Sequence, residues 1–335
     1  MRYLFTLIFA FWPLVTGAQD WEDQRFFPGG DEARTLRILS STDTSFFAPI
    51  IERFQLEYPA WSVQYLVTTT SEIDQVFRAA PDAYDIVISS AMDLQLKLVN
   101  DGFALELVGM DHPDWAQWRQ RLFAFTSEPA TIVVNSAAFQ GKPIPRTRQE
   151  MINALRQQPD LFRGKIGTYD VRQSGLGYLF ATQDARASET YWRLMEVMGS
   201  LDARLYCCSG QMIDDVASGR LLVAYNVLGS YAAVRRKEDT RFEIILPSDF
   251  PTTMMRTGFV SRKTLHPVAA ENFIRQMIRI QGAGQDSPIS PLPPLGPSPE
   301  ETNPSVISLE PALLTYLDQL KRRTFIKEWM SAVIQ

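Results

Sequence analysis

The spacing of hydrophobic positions changes repeatedly along the chain, and each change marks a new element. Residues 36–39 predict a strand ending in Ser40, Ser41, Thr42, Asp43 and Thr44, after which Phe46, Ile50, Ile51 and Phe54 recur at helical spacing as far as Tyr58 and Pro59. The same succession of strand, polar turn and helix then repeats. Residues 63–67 predict a second strand and 72–78 a short helix. Residues 85–88 predict a third strand that runs into Ser89, Ser90, Ala91 and Met92 before a helix that stops at Asn100, Asp101 and Gly102. Alternation of this kind builds a parallel sheet covered by helices on both faces.

Further along, 131–135 reads as a strand ending in Asn135, and a proline-containing loop at 141–147 precedes a helix over 150–157. Residues 165–169 look like a short buried strand and 170–173 a turn. Ser174 then stands as a helix N-cap, followed by Gly175 and an apolar stripe at Leu176, Leu179 and Phe180. Helices are expected at 189–198 and 211–217, and strands at 221–225 and 241–246. A strand at 254–261 is followed by a helix opening at His266 and Pro267, where proline suits the first turn. Seven prolines between 282 and 304 mark a loop. The tail over 311–334 is expected to be helical, with Leu313, Leu314, Leu317 and Leu320 on one face.

This order places candidate chemistry on one rim, because ligands of such sheets sit beyond the carboxyl ends of the strands. The turns carrying Ser41 and Thr42, Ser89 and Ser90, and Ser174 and Gly175 each follow a strand and open a helix. Each offers hydroxyls and free N–H groups at the positive end of a helix dipole, a seat for an anion or a polyol. The plain alternative for each is a helix cap with no ligand. Arg172, two residues before Ser174, is a candidate charged fork for an anion.

Composition narrows the setting. Arg2, an apolar run over 3–15 and the small residues Thr16, Gly17 and Ala18 have the layout of a secretory leader, with cleavage expected after Ala18. The run is shorter than the roughly 20 residues needed to span a bilayer, so an exported, periplasmic protein is expected. The remaining 317 residues carry 32 basic against 38 acidic side chains, which tells against nucleic acid as a partner. A chain of that size exceeds one ordinary core, so two lobes are expected. Cys207 and Cys208 are adjacent, which excludes a long-range disulfide framework. They are expected to be small buried apolar side chains. No cysteine or histidine lies at ligand spacing nearby, and neither a metal nor a cofactor is expected.

Taken together, Ser89-Ser90-Ala91-Met92-Asp93-Leu94-Gln95, Thr168-Tyr169-Asp170, Ser174-Gly175-Leu176-Gly177-Tyr178-Leu179, the run from Gly219 through Tyr225-Asn226-Val227-Leu228-Gly229-Ser230-Tyr231-Ala232, and His266-Pro267 carry a resemblance. The chain resembles the class II periplasmic solute-binding proteins of ABC transporters, in the branch of ferric-ion binders and phosphoglycerate-type regulatory binding proteins. The resemblance implies an α/β fold of two lobes joined by crossing hinge strands. Lobe one would hold 36–134 and 250–285 and lobe two 135–249. A leader at 1–18, a loose tail at 19–35, a proline-rich loop at 286–310 and C-terminal helices at 311–335 would complete the chain. It also implies solute contacts from Ser41, Thr42, Ser89, Ser90, Asn135, Ser174, Gly175, Tyr225 and Asn226, and Thr168 joins them from the same motif. The expected partners are a small solute and an ABC permease or the periplasmic domain of a sensor kinase, met by a monomer.

Ferric binders of this branch carry two consecutive tyrosines where this chain has Tyr225 followed by Asn226, and a neutral amide is a poor ligand for hard ferric ion. A small anion, whether carboxylate, phosphate ester or phosphonate, is therefore expected ahead of iron. A periplasmic enzyme is the remaining alternative, but His112 and His266 have no evident catalytic neighbours and read as surface or capping residues.

Overall fold

The computed structural model describes residues 20–282, 289–296 and 306–334. The expected leader lies outside the described residues, as does part of the proline-rich loop.

The chain begins with β1 (Asp23–Phe27), β2 (Asp31–Ser40), α1 (Thr44–Glu57), β3 (Trp61–Val67), α2 (Glu72–Ala79), β4 (Ile86–Ser89) and α3 (Met92–Asn100). The short β5 (Gln117–Trp118) and β6 (Leu122–Ala124) lead to the long β7 (Glu128–Asn135). Next come α4 (Arg148–Gln157), α5 (Pro159–Phe162), β8 (Ile166–Tyr169), α6 (Gly175–Ala187), α7 (Thr190–Ser200), β9 (Arg204–Tyr206) and α8 (Ser209–Ala217). Then follow β10 (Val223–Leu228), α9 (Gly229–Glu238), β11 (Phe242–Ile245), β12 (Thr253–Met254), β13 (Thr257–Val260), α10 (Pro267–Gly282) and α11 (Gln319–Val333).

These strands form two sheets. The first runs β1-β3-β2-β4-β13-β6-β5, with β3, β2 and β4 parallel and the flanking pairs antiparallel. The second runs β11-β7-β10-β8-β9, in which β10, β8 and β9 are parallel. Of the central strands, β4, β8 and β10 are buried along their whole length, as a sheet covered on both faces requires.

Two adjacent segments join the lobes. Glu128 and Pro129 pair with Met254 and Thr253, Ala130 N–H donates to Thr252 O at 2.8 Å, and Phe125 N–H donates to Arg256 O at 2.9 Å. The first crossing therefore lies at 125–130 and not at Asn135. Residues 130–135 already pair with β10 and β11 inside the second sheet.

The expected loose tail is corrected as well. Residues 23–27 form an edge strand on β3, Phe27 is buried opposite Val63, and Trp21 meets Tyr84 edge-on at 6.5 Å. Asp23, Gln24 and Arg25 hide the strand in the sequence, and such polar residues are what guards a sheet edge. The turn into β2 needs Gly29, where a Cβ would lie 2.4 Å from the backbone of Trp61.

The tail of the chain differs from its periodicity. Residues 311–317 form a 3₁₀ turn, and Asp318 then caps α11 by accepting from the N–H groups of Leu320 and Lys321 at 3.1 Å. That restart shifts the helical phase, so Phe325, Trp329, Ala332 and Val333 face inward while Leu320 is 73% exposed. α11 packs on α7 of lobe two, whereas the 3₁₀ turn packs on α3 of lobe one. The described part of the proline-rich loop is held by contact. Ser290 donates to Phe46 O at 2.9 Å, and Leu292 is buried with the core of lobe one.

The cysteine expectation is also overturned. Cys207 and Cys208 are bonded to each other, and both are only half-buried.

Candidate functional site

The parallel strands of the two sheets end facing one another, so six strand-to-helix turns converge. Lobe one supplies Ser41 to Asp43 before α1, Thr68 to Ser71 before α2, and Ser90 and Ala91 before α3. Lobe two supplies Asp170 to Ser174 before α6, Cys207 and Cys208 before α8, and Leu228 before α9. Of these six helices only α6 is capped by its own N-cap side chain, Ser174 Oγ accepting from Gly177 N–H at 3.1 Å. The N-termini of α1, α2, α3, α8 and α9 have no such bond.

The lobes touch across this cleft. Ser71 Oγ donates to Gln173 O at 2.5 Å, and Leu176 N–H donates to Thr70 Oγ1 at 3.2 Å. Tyr231 of α9 stacks on Phe46 of α1 at 4.4 Å and donates to the Asp43 carboxylate at 3.1 Å. Gly175 serves this contact, since a Cβ there would come within 3.0 Å of Thr70 O. The arrangement is closed.

The floor of the cleft is an ion pair between the crossing segments. Arg256 Nε and Nη2 donate to the two oxygens of Glu128 at 2.9 and 3.0 Å, and neither side chain has any exposed surface. Its third nitrogen reaches lobe one, Arg256 Nη1 donating to Thr42 Oγ1 at 2.6 Å. Glu128 reaches lobe two by accepting from Ser230 Oγ, and it also accepts from Thr126 Oγ1 at 2.8 Å. Among the described residues this accounts for three of the five guanidinium N–H groups of Arg256.

Several predicted residues gather here. Ser41 Oγ lies 3.1 Å from Ser89 Oγ and accepts from Ser90 N–H at 3.4 Å, while Thr42 is tied to Arg256. Ser174 and Gly175 lie at the lobe contact. Arg172 is on the rim, but its fork is closed on Asp170 by bonds of 2.8 and 2.6 Å. Burial alone would push the Asp170 carboxyl up, yet those bonds hold it below its usual range. Thr168 is buried within β8.

Three predicted residues are elsewhere. Asn135 ends β7, about 20 Å along the strand from the crossing. There it donates to Val216 O at 2.9 Å and caps the following turn. Tyr225 and Asn226 lie inside lobe two, donating to Asp184 at 2.7 and 2.9 Å. Arg148, also fully buried, donates to Asp184 at 3.0 Å and to Tyr225 at 2.6 Å. Asn226 takes a left-handed conformation at φ 63° in the bulge of β10, a conformation asparagine tolerates. Of the histidines, His266 meets Trp61 edge-on and His112 meets Phe123 in the same way.

The charged residues of the cleft were missed by the sequence reading. Glu128 and Arg256 are lone charges in the otherwise uncharged stretches 122–135 and 250–261, and no local signal pairs them. Asp43 and Glu22 stand at the mouth. Burial, chiefly, pushes the Asp43 carboxyl up, with Tyr231 and Arg256 opposing the shift. Glu22 is raised by burial and then by the neighbouring charges of Asp43 and Glu72. Burial also pushes the phenols of Tyr65, Tyr169 and Tyr231 upward, although each feels the charge of Arg256.

Two α/β lobes, two crossing segments between them and a cleft lined by helix N-termini define the class, the two-lobed class II periplasmic binding proteins. No family model matches the sequence, and no curated protein does. Solved structures do. A substrate-binding protein of an ABC transporter from Agrobacterium tumefaciens is 31% identical over 93% of this chain and 98% of its own, with a TM-score of 0.84. The chain belongs to the substrate-binding proteins of ABC transporters. The fold is shared at 12% identity by AfuA from Actinobacillus pleuropneumoniae, solved with fructose-6-phosphate (TM-score 0.71, 89% of this chain and 98% of that one). It is shared equally by iron-bound HitA from Pseudomonas aeruginosa (12%, TM-score 0.65, 89% and 99%).

Proposed function

We propose that this protein is exported to the periplasm, closes its two lobes over a small oxyanion-bearing solute and delivers it to an ABC permease. The observation that carries the reading is the convergence of five helix N-termini lacking a cap from their own side chains on the cleft, beside the hydroxyls of Ser41, Ser89 and Ser90. Backbone N–H groups at the positive ends of helices bind an anion without needing a cation. That matters here because the charge of Arg256 is balanced by Glu128 and that of Arg172 by Asp170. A solute with a carboxylate, phosphate or phosphonate group fits the floor, and hydroxyls elsewhere on it suit the accepting carboxylates Asp43 and Glu22 at the mouth.

Iron is disfavoured by position as well as by composition. Tyr225, the one tyrosine matching the ferric pattern, is bonded to Asp184 and Arg148 inside lobe two. The decisive experiment is mass spectrometry of the solute that co-purifies with periplasmic protein, followed by calorimetric titration with phosphate esters, phosphonates and dicarboxylates. One-to-one binding of such an anion is expected, together with a smaller scattering radius when bound. Binding of ferric ion alone, or a neutral sugar that outcompetes every anion in the panel, overturns the reading.

A further inference from the structure

The bonded pair Cys207–Cys208 lies on the rim of lobe two, directly before α8. Across the cleft mouth from it is Glu22 of lobe one, whose backbone N–H is anchored to Val67 O at 2.9 Å. Cys208 Sγ is 3.8 Å from Glu22 Oε1, and the two sulfurs and the carboxylate all lie within 4.8 Å of one another. We propose that Cys207, Cys208 and Glu22 form a redox-gated site for a thiophilic divalent cation, which ties the two lobes together once the disulfide is opened.

The oxidised pair offers no thiolate and binds no such cation. A two-electron reductant, a dithiol or a phosphine, opens it. With a dithiol, the S–S bond breaks, the reductant's two protons pass to the cysteine sulfurs, and the reductant leaves as its own disulfide. A cation then displaces those two protons and binds both sulfurs as thiolates. In a tetrahedral site with bonds of about 2.3 Å to sulfur and 2.1 Å to oxygen, a sulfur and an oxygen ligand lie about 3.6 Å apart. Cys208 and Glu22 already stand near that distance. The remaining motion is separation of the two sulfurs, which side-chain rotation supplies.

Three features favour a cation here. Cys208 stands at the N-cap of α8 with no side-chain cap in place, so the helix dipole stabilises its thiolate. Asp43 and Glu72 add negative charge beside Glu22. Two sulfurs select zinc or cadmium over magnesium or calcium, which prefer an all-oxygen shell. The site needs no anionic solute, so it stands or falls separately from the proposed transport role.

The test uses the mature protein reduced with a phosphine, which leaves as its oxide with oxygen from water, and titrated with Cd²⁺ while the ultraviolet thiolate-to-cadmium charge-transfer band is followed. One cation per chain is expected in the reduced protein and no band in the oxidised one. Glu22→Gln, an exposed position, should keep the band at saturation but weaken cadmium binding by about tenfold or more. Cys207→Ser should remove the two-thiolate band. Absence of a band in the reduced protein overturns the proposal, and so does a Glu22→Gln protein that binds cadmium as tightly as the parent, since the cation would then be held by lobe two alone.

Discussion

Among the described residues two arginines are withdrawn from solvent and paired with carboxylates, and they have different work. Arg148 lies in lobe two. Besides Asp184 and Tyr225 it binds the backbone oxygens of Asp249 and Phe250, at 2.6 and 3.3 Å, so the returning chain is fastened to lobe two where it leaves the last strand. Arg256 lies on the crossing itself, and its network ends in Thr42 on one lobe and Ser230 on the other. Chemically similar pairs thus tie the returning chain to one lobe in one place and tie the two lobes to each other in the other, where closure is expected to make and break the bonds. A buried ion pair marks a segment that must be held. Its outer bonds show whether the hold lies within one body or between two.

The largest expected effect breaks the fixed joint. Arg148→Met leaves Asp184 buried without its cation and should cost roughly 3 to 5 kcal/mol of folding stability, read from denaturant midpoints. If enough protein folds at low temperature, solute affinity should be close to that of the parent. A loss of affinity with unchanged stability would show that Arg148 also governs the opening joint.

A third buried carboxyl sharpens the contrast because no salt bridge to it is found among the described residues. Asp93, in the first turn of α3, accepts from Leu94 N–H at 2.9 Å; burial, opposed by that bond and by the charge of Arg322, pushes it up to about 7. A raised native value means the folded state holds the proton more tightly than the unfolded state. Stability is therefore full below the ordinary carboxylate range and declines as pH rises toward and through 7. Between pH 5 and 8 the loss should be on the order of 3 kcal/mol. Asp93→Asn should remove that slope, and a variant keeping it would assign the slope to another group.

A smaller effect separates the two ends of the Arg256 network. Thr42→Val cuts its bond to lobe one and Ser230→Ala its bond to lobe two, each worth about 1.5 to 3 kcal/mol as a hydrogen bond to a charged group. Both should shift scattering of the solute-bound protein toward the open form, with less change in unfolding midpoint than Arg148→Met gives. An unaltered radius in both variants would make Arg256 a fixed joint like its counterpart.

These contrasts explain what was legible in the sequence. The parallel strands and the turns at Ser41, Ser89 and Ser174 were readable because apolar period and hydroxyl-rich turns are local signals. The edge strand at 23–27 was not, since its charges serve the edge and mimic a solvated tail. Asn135, Tyr225 and Asn226 carry polar groups at strand positions, but the bonds that engage them come from Val216, Asp184 and Arg148, residues far off in sequence. Glu128 and Arg256 are separated by 128 residues, and nothing in either neighbourhood names the other. Ser174 shows the limit of the local signal: the cap was legible, but its position against Thr70 and Ser71 of the other lobe depends on closure.

The smallest expected effect concerns the mouth of the opening joint. Asp43 is covered by Tyr231 and Glu22 faces Cys208, so both contacts are made across the lobes. Both carboxyls are raised, chiefly by burial, although the bond from Tyr231 acts the other way on Asp43. Closing is expected to take up protons, which favours the closed form on the acid side. Solute affinity should be highest near the ordinary carboxylate range, fall as pH rises through the raised values, and level off once both groups are ionised in the open and closed forms alike. Both residues remain exposed enough for solvent and salt to screen their charges. The change should accordingly be only a few-fold in affinity, and smaller at high salt. Calorimetric titration across pH 4.5 to 8 checks it, using a solute whose own charge is constant over that range. Asp43→Asn should flatten most of the slope, because an amide still meets Tyr231 but carries no charge to bury. If the slope survives in that variant and steepens with added salt, the protons belong to the solute or to the floor of the cleft, and the mouth is not where closure senses pH.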